Sequence, residues 1–104
     1  MEYITTDQLI DKVIEWADER KITTHGQPMT QAIKTLEECQ ELLVAINKND
    51  GFEITDAIGD IIVTLIIQAD LQNTSLKVCL QHAYNQIKDR KGHLDHTGNF
   101  IKEQ

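Results

Sequence analysis

Two stretches of this sequence carry acidic residues at spacings that would gather them around a cation. In "EITDAIGDIIVTLIIQA", residues 53 to 69, Glu53, Asp56 and Asp60 stand at i, i+3 and i+7 of a helical reading. They therefore share one face, and that face continues as Val63 and Ile67. In "QAIKTLEECQELLVA", residues 31 to 45, Gln31, Lys34, Glu38 and Glu41 line a stripe that runs into Leu42 and Ala45. In both stretches a polar face becomes apolar along its length, so the acids point toward packed surface. A carboxylate withdrawn from water without a partner costs on the order of several kcal/mol, and something positive must offset it.

If the two segments pack antiparallel, Glu38, Glu41, Glu53, Asp56 and Asp60 meet at a shared level. Oxygen-only ligands select hard ions, and Mg²⁺ in particular takes a few carboxylates, several waters and the phosphate oxygens of a substrate. A di-iron bundle would need Glu-x-x-His, and neither Glu38 nor Glu41 is followed three residues on by histidine. Against this stands the plain reading of "EECQE" as a solvated helix face, and of Asp56 as a negative charge favoured near a helix start. Both clusters on matching faces favour the metal site.

The elements that must position these acids are helical. The chain has 104 residues with one proline, Pro28, and five glycines, which is the composition of one all-α domain spanning residues 1–104. A first helix is capped by Thr6 or Asp7 and carries Leu9, Ile10, Val13, Ile14 and Ala17 inward until about Lys21. "TTHGQPMT" forms a connector. The second helix runs from about Thr30 to Asn47 with Ile33, Leu36, Leu43 and Ile46 as its main apolar stripe, and "NKNDGF" is its exit turn. The third covers Glu53 to about Leu71; "IIVTLII" is rich in β-branched residues, but the uninterrupted length excludes a strand. Gly59 within it costs a helix about 1 kcal/mol relative to alanine and predicts close approach by a backbone or ligand. A fourth helix, capped by Thr74 or Ser75, turns Leu76, Leu80, Ala83 and Ile87 to the core and ends near Lys91, leaving residues 91–104 as a tail. These make an antiparallel bundle of about four helices. The apolar third helix is more than so short a chain can cover, which predicts a homodimer or homotetramer.

A formal charge of −7 excludes nucleic-acid or anionic-lipid capture through a basic patch. No apolar run is long enough to span a bilayer, and the acidic, polar start "MEYITTDQLIDKV" lacks the features of an export signal. Cys39 and Cys79, without ligand or redox spacing, read as reduced core residues of a cytoplasmic protein.

"KTLEECQELLVAI" and "DAIGDIIVTLI", together with "AYNQIKDRKG" and "GNFIKE", resemble the all-α nucleoside triphosphate pyrophosphohydrolases of the MazG type, in particular the short phage and prophage members. The first matches the family's E-E-x-x-E helix and the second its acidic motif before an apolar run. That motif is usually E-x-x-D. With Asp60 as its aspartate, Ala57 stands at the glutamate position and Asp56 lies one residue before it; a rival register reads "EITD", with Glu53 and Asp56. The Gly59–Asp60 pair leading into the apolar run favours the Asp60 register. The resemblance implies a Mg²⁺-dependent enzyme that converts NTP or dNTP to the monophosphate and pyrophosphate. It implies Glu38, Glu41 and Asp60 as metal ligands with Asp56 beside them, and Glu37 as the residue that activates water. Lys34, Asn85 and Lys88 are candidate contacts to phosphate or sugar, the last two sharing a helix face. Trp16 could stack on a base, but its spacing from Leu9 and Val13 favours the core, and His25 has no assignable part. The rival reading, favoured by Ala57, is a non-catalytic helical oligomerisation or metal-binding module.

Overall fold

The computed structural model describes residues 4–103. Met1 to Tyr3, which open the stretch read against export, and Gln104, which closes the tail, lie outside the described residues. The elements are α1 (Thr6–Glu19), α2 (Ile22–His25), α3 (Pro28–Lys48), α4 (Gly51–Leu71), α5 (Leu76–Ile87), β1 (Gly92–Leu94) and β2 (Phe100–Lys102). The architecture is all-α; among the described residues it comprises four long helices and one single turn of helix, with a small hairpin appended.

Local chemistry sets each boundary. The cap of α1 is Thr5 rather than Thr6 or Asp7, because Gln8 completes a reciprocal box with it: the Thr5 hydroxyl accepts from the Gln8 N–H at 3.1 Å and the Gln8 amide oxygen accepts from the Thr5 N–H at 2.9 Å. The connector is more ordered than its composition suggests. It holds α2, entered through Lys21 in the left-handed conformation at φ 62°, and α3 then starts at Pro28, whose fixed φ suits the first helical position. Asn49, left-handed at φ 55°, ends α3, and the Asp50 carboxylate caps α4 by accepting from the Glu53 N–H at 3.0 Å. So short a turn makes α3 and α4 antiparallel neighbours. Of the two caps expected for α5, Ser75 is the one used, and the helix stops at Ile87. The tail beyond it is not irregular: β1 and β2 pair antiparallel around a turn in which the Asp95 carboxylate accepts from the Thr97 and Asn99 N–H groups, with Gly98 at φ 87°.

The most extensive pairing is α3 with α4, and α1, α2 and α5 also pack on α4. Polar pins fix its register. The Gln31 amide donates to the Thr64 carbonyl at 3.1 Å, the Thr35 hydroxyl to the Thr64 hydroxyl at 2.8 Å, and the Gln68 amide to the Pro28 carbonyl at 2.9 Å. The buried residues are small or near these pins: Ala17, Ala45, Ala57, Thr64, Ile66, Ile67 and Ala69. None of the large side chains described is fully buried.

This corrects several sequence expectations. The face α3 turns to α4 is the stripe of Gln31, Thr35, Glu38, Leu42 and Ala45, because hydroxyl and amide pins and an alanine allow the two backbones close. Its main apolar stripe, Ile33, Leu36, Leu43 and Ile46, is exposed. On α5, Leu80, Ala83 and Ile87 are likewise exposed, since among the described elements α4 alone flanks that helix. Cys79 is exposed and Cys39 partly buried, both as free thiols. A Cβ built on Gly59 meets nothing within 4 Å, so no close approach within the chain explains that glycine.

Candidate active site

Glu38 and Glu41 are one turn apart on α3, and Asp60 faces them from α4, one turn before the Thr64 that Thr35 holds. The pin therefore sets the level at which the three acids meet. Each offers an oxygen, and these oxygens lie within 4.8 Å of one another. Glu38 and Asp60 are partly buried and Glu41 is exposed.

The electrostatics match the crowding. Burial pushes the Glu38 carboxyl above the usual carboxylate range, and the hydrogen bond and charge of Glu41 and the charge of Asp60 push it further, against a smaller pull from Lys34. Asp60 is raised by burial first, then by the charges of Asp56 and Glu41. The Glu38 Oε2 atom is buried without a hydrogen-bond partner. A buried, unpartnered carboxylate oxygen beside two further carboxylates can be satisfied by a proton or a cation, and an all-oxygen donor set suits a hard divalent ion.

Two clefts open from this cluster. One, of about 670 Å³, is charged and is lined by Glu37, Glu41, Lys48, Glu53 and Asp56 among others. The other, of about 480 Å³, is more apolar, with Trp16, Ile22, Ile33, Val63 and Ile67 in its walls and Lys34, Glu38 and Asp60 at its polar side. Trp16 is thus not a core residue. It is 44% exposed, with the Arg20 guanidinium 4.5 Å from its ring centroid, and it forms part of the cleft wall.

Glu37 is exposed and lines both clefts. Asp56 lies in the charged cleft, where its charge reaches Asp60. Glu53, of the rival register, is outside the three-acid group and pairs with Lys48 at 3.7 Å. Ala57 is buried and puts no carboxylate at the family's glutamate position. Lys34 lines the apolar cleft. Asn85 and Lys88 line neither cleft; the Asn85 side-chain oxygen accepts from the Gln81 amide at 3.0 Å, and Lys88 is exposed at the end of α5. His25 interacts with its neighbour Thr24. Sequence reasoning missed Lys48, hidden inside a stretch that reads as a turn, and Thr64, whose signal was a hydroxyl in an otherwise apolar run.

Comparison with known proteins gives a family match over residues 27–94 to the MazG nucleotide pyrophosphohydrolase domain. In the Haemophilus phage HP1 (strain HP1c1), an uncharacterized 18.2 kDa protein of the rep-hol intergenic region is 39% identical over 62 residues. That match covers 60% of this chain and 38% of the phage protein, so the chain spans well under half of its relative's length. No solved structure matches significantly. Among the described residues no helix is long and apolar enough to cross a membrane.

Proposed function

The chain belongs to the MazG nucleotide pyrophosphohydrolase family, and from that membership we propose that it hydrolyses nucleoside triphosphates, NTP or dNTP, to the monophosphate and pyrophosphate with Mg²⁺. The observation that carries the reading is the convergence of Glu38, Glu41 and Asp60 within 4.8 Å, with an orphaned buried oxygen, between an apolar and a charged cleft.

Glu38, Glu41 and Asp60, with Asp56 alongside, would hold the ion, which when bound supplies positive charge to the triphosphate and to the leaving pyrophosphate. Glu37, at the junction of the clefts, positions the attacking water and takes its proton. The α–β anhydride bond breaks, and its electron pair leaves with pyrophosphate. The apolar cleft takes the nucleoside, with the base against Trp16 and Lys34 near the sugar or first phosphate.

We further propose that the working form is a homodimer or homotetramer. The single chain exposes 8464 Å² and has a radius of gyration of 16.2 Å. A folded monomer of this mass exposes roughly 6,000 Å² and has a radius of about 13 Å. The excess, roughly 2,500 Å², is of the size buried in obligate interfaces. A second copy laid on the bare face of α5 is also the route by which Asn85 and Lys88 would reach substrate.

A panel of common and modified nucleoside triphosphates with Mg²⁺, scored for pyrophosphate release, tests the activity. Release from at least one of them, abolished by chelation, is expected; no release from any overturns the reading.

A further inference from the structure

Resting on the hydrolase reading above, we infer that Lys48 is the residue that binds the polyphosphate end of the substrate in the charged cleft, and that Glu53 is its resting partner. Neither cleft is neutral ground for a triphosphate. The apolar one is walled by Trp16, Ile22, Ile33 and Val63, where a multiply charged tail would lose its hydration, and its cation, Lys34, lies at the polar side beside Glu38 and Asp60, where the first phosphate would be. The other cleft adjoins the acids through Glu41 and Glu37, so a substrate whose base fills the apolar cleft and whose first phosphate lies at the acids has it directly in its path.

There the lining is Glu37, Glu41, Glu53 and Asp56 against a single cation among the described residues, Lys48. Lys48 follows Glu41 by two helical turns on α3, a rise of about 10 Å. It therefore stands at the far end of the cleft from the three-acid group, where the departing pyrophosphate would be. Among the described residues its Nζ pairs with Glu53 alone, at 3.7 Å, with both side chains about half exposed (60% and 47%). An ion pair so open to water is weak, and a charge-assisted contact to phosphate oxygen outweighs it. Glu53 thus acts through Lys48, keeping its ammonium in the cleft until substrate arrives. The competing structural role is that of a basic residue in the last turn of α3, favourable to the helix dipole.

The test is calorimetric titration of the intact protein with inorganic tripolyphosphate in Mg²⁺, which carries no base, and in parallel with nucleoside monophosphates. Lys48→Ala should weaken tripolyphosphate binding about tenfold or more, leave monophosphate binding unchanged and raise KM for any hydrolysed triphosphate. Lys48→Arg should restore most of the loss, and Glu53→Gln, which frees the ammonium, should bind tripolyphosphate at least as tightly as the native protein. Equal tripolyphosphate affinity in native and Lys48→Ala proteins, with pyrophosphate release intact, overturns the inference and leaves the hydrolase reading standing. A lower melting temperature for Lys48→Ala with unchanged affinity assigns the residue to the helix end alone. A native protein that neither binds tripolyphosphate nor releases pyrophosphate overturns the hydrolase reading and the inference with it.

Discussion

Helix α4 is flanked by α1, α2, α3 and α5, whereas α5, started by the same kind of side-chain cap, packs among the described elements on α4 alone and leaves Val78, Leu80, Tyr84 and Ile87 exposed. The two helices are equally well formed as secondary structure. They differ in what fixes them in space: α4 is pinned by Gln31, Thr35 and Gln68 at defined heights, while α5 offers apolar surface without a polar mate. Hydrogen bonds are directional and specify a register, whereas apolar area specifies only that something must cover it. The three acids sit where the register is fixed within one chain.

The largest effects should come from the pinned region. Asp60→Asn and Glu38→Gln should each reduce pyrophosphate release by at least about a hundredfold while circular dichroism stays helical. Both should also lose the rise in melting temperature that Mg²⁺ gives by binding the folded state. Glu53→Gln should keep that thermal gain. The reverse ranking would move the site to the "EITD" register.

Next in size is the bare face of α5. Leu80→Glu should lower the mass measured by light scattering to that of a single chain, with helix content mostly retained. An unchanged oligomer would mean that the second copy sits elsewhere.

The acids also give a pH effect with a defined sign. Glu38 and Asp60 are raised in the folded state, so their contribution to stability is complete below the ordinary carboxylate range and is lost as pH rises through their elevated values. Without metal, melting temperature should respond to this loss across that window. The extra stability conferred by Mg²⁺ should grow across the same window, because protons compete with the ion. A Mg²⁺ effect independent of pH there would separate the ion from these carboxylates. The smallest expected effect is that of Ser75→Ala, which removes the cap of α5 and should cost about 1 kcal/mol in chemical denaturation, with activity unchanged; a cost near zero would mean that packing rather than the cap holds this helix start.

Spacing made Glu38 and Glu41 legible on one helix face and Glu53, Asp56 and Asp60 on another that could meet it, because a helix places i+3 and i+4 on one face; the family resemblance then narrowed the five to Glu38, Glu41 and Asp60. The helices were legible for the same reason. What spacing could not reveal was which stripe of α3 faces inward: Ile33, Leu36, Leu43 and Ile46 are the more apolar, yet the pins to Thr64 decide the rotation, and pins are tertiary facts. Trp16 was misplaced by the same logic, read as core when it walls a cleft. The hairpin had a signal, Asp95 and Gly98 between "HL" and "FIK", but strands of three residues are too short to alternate visibly. One turn of helix, as in α2, is shorter than any periodicity.

The tight reversal at Asn49 and Asp50 has a kinetic corollary. Because the acids of α3 and α4 are brought together by one short closure between consecutive helices, the chain segment that must be ordered to unite them is contiguous, and contacts of low sequence separation form early and fast. The three-acid group is therefore complete within a single folding unit of one chain. The oligomer proposed above would form bimolecularly, more slowly on dilution, and would inherit an acid cluster already built, so protein concentration would govern how well that cluster is covered rather than whether it exists.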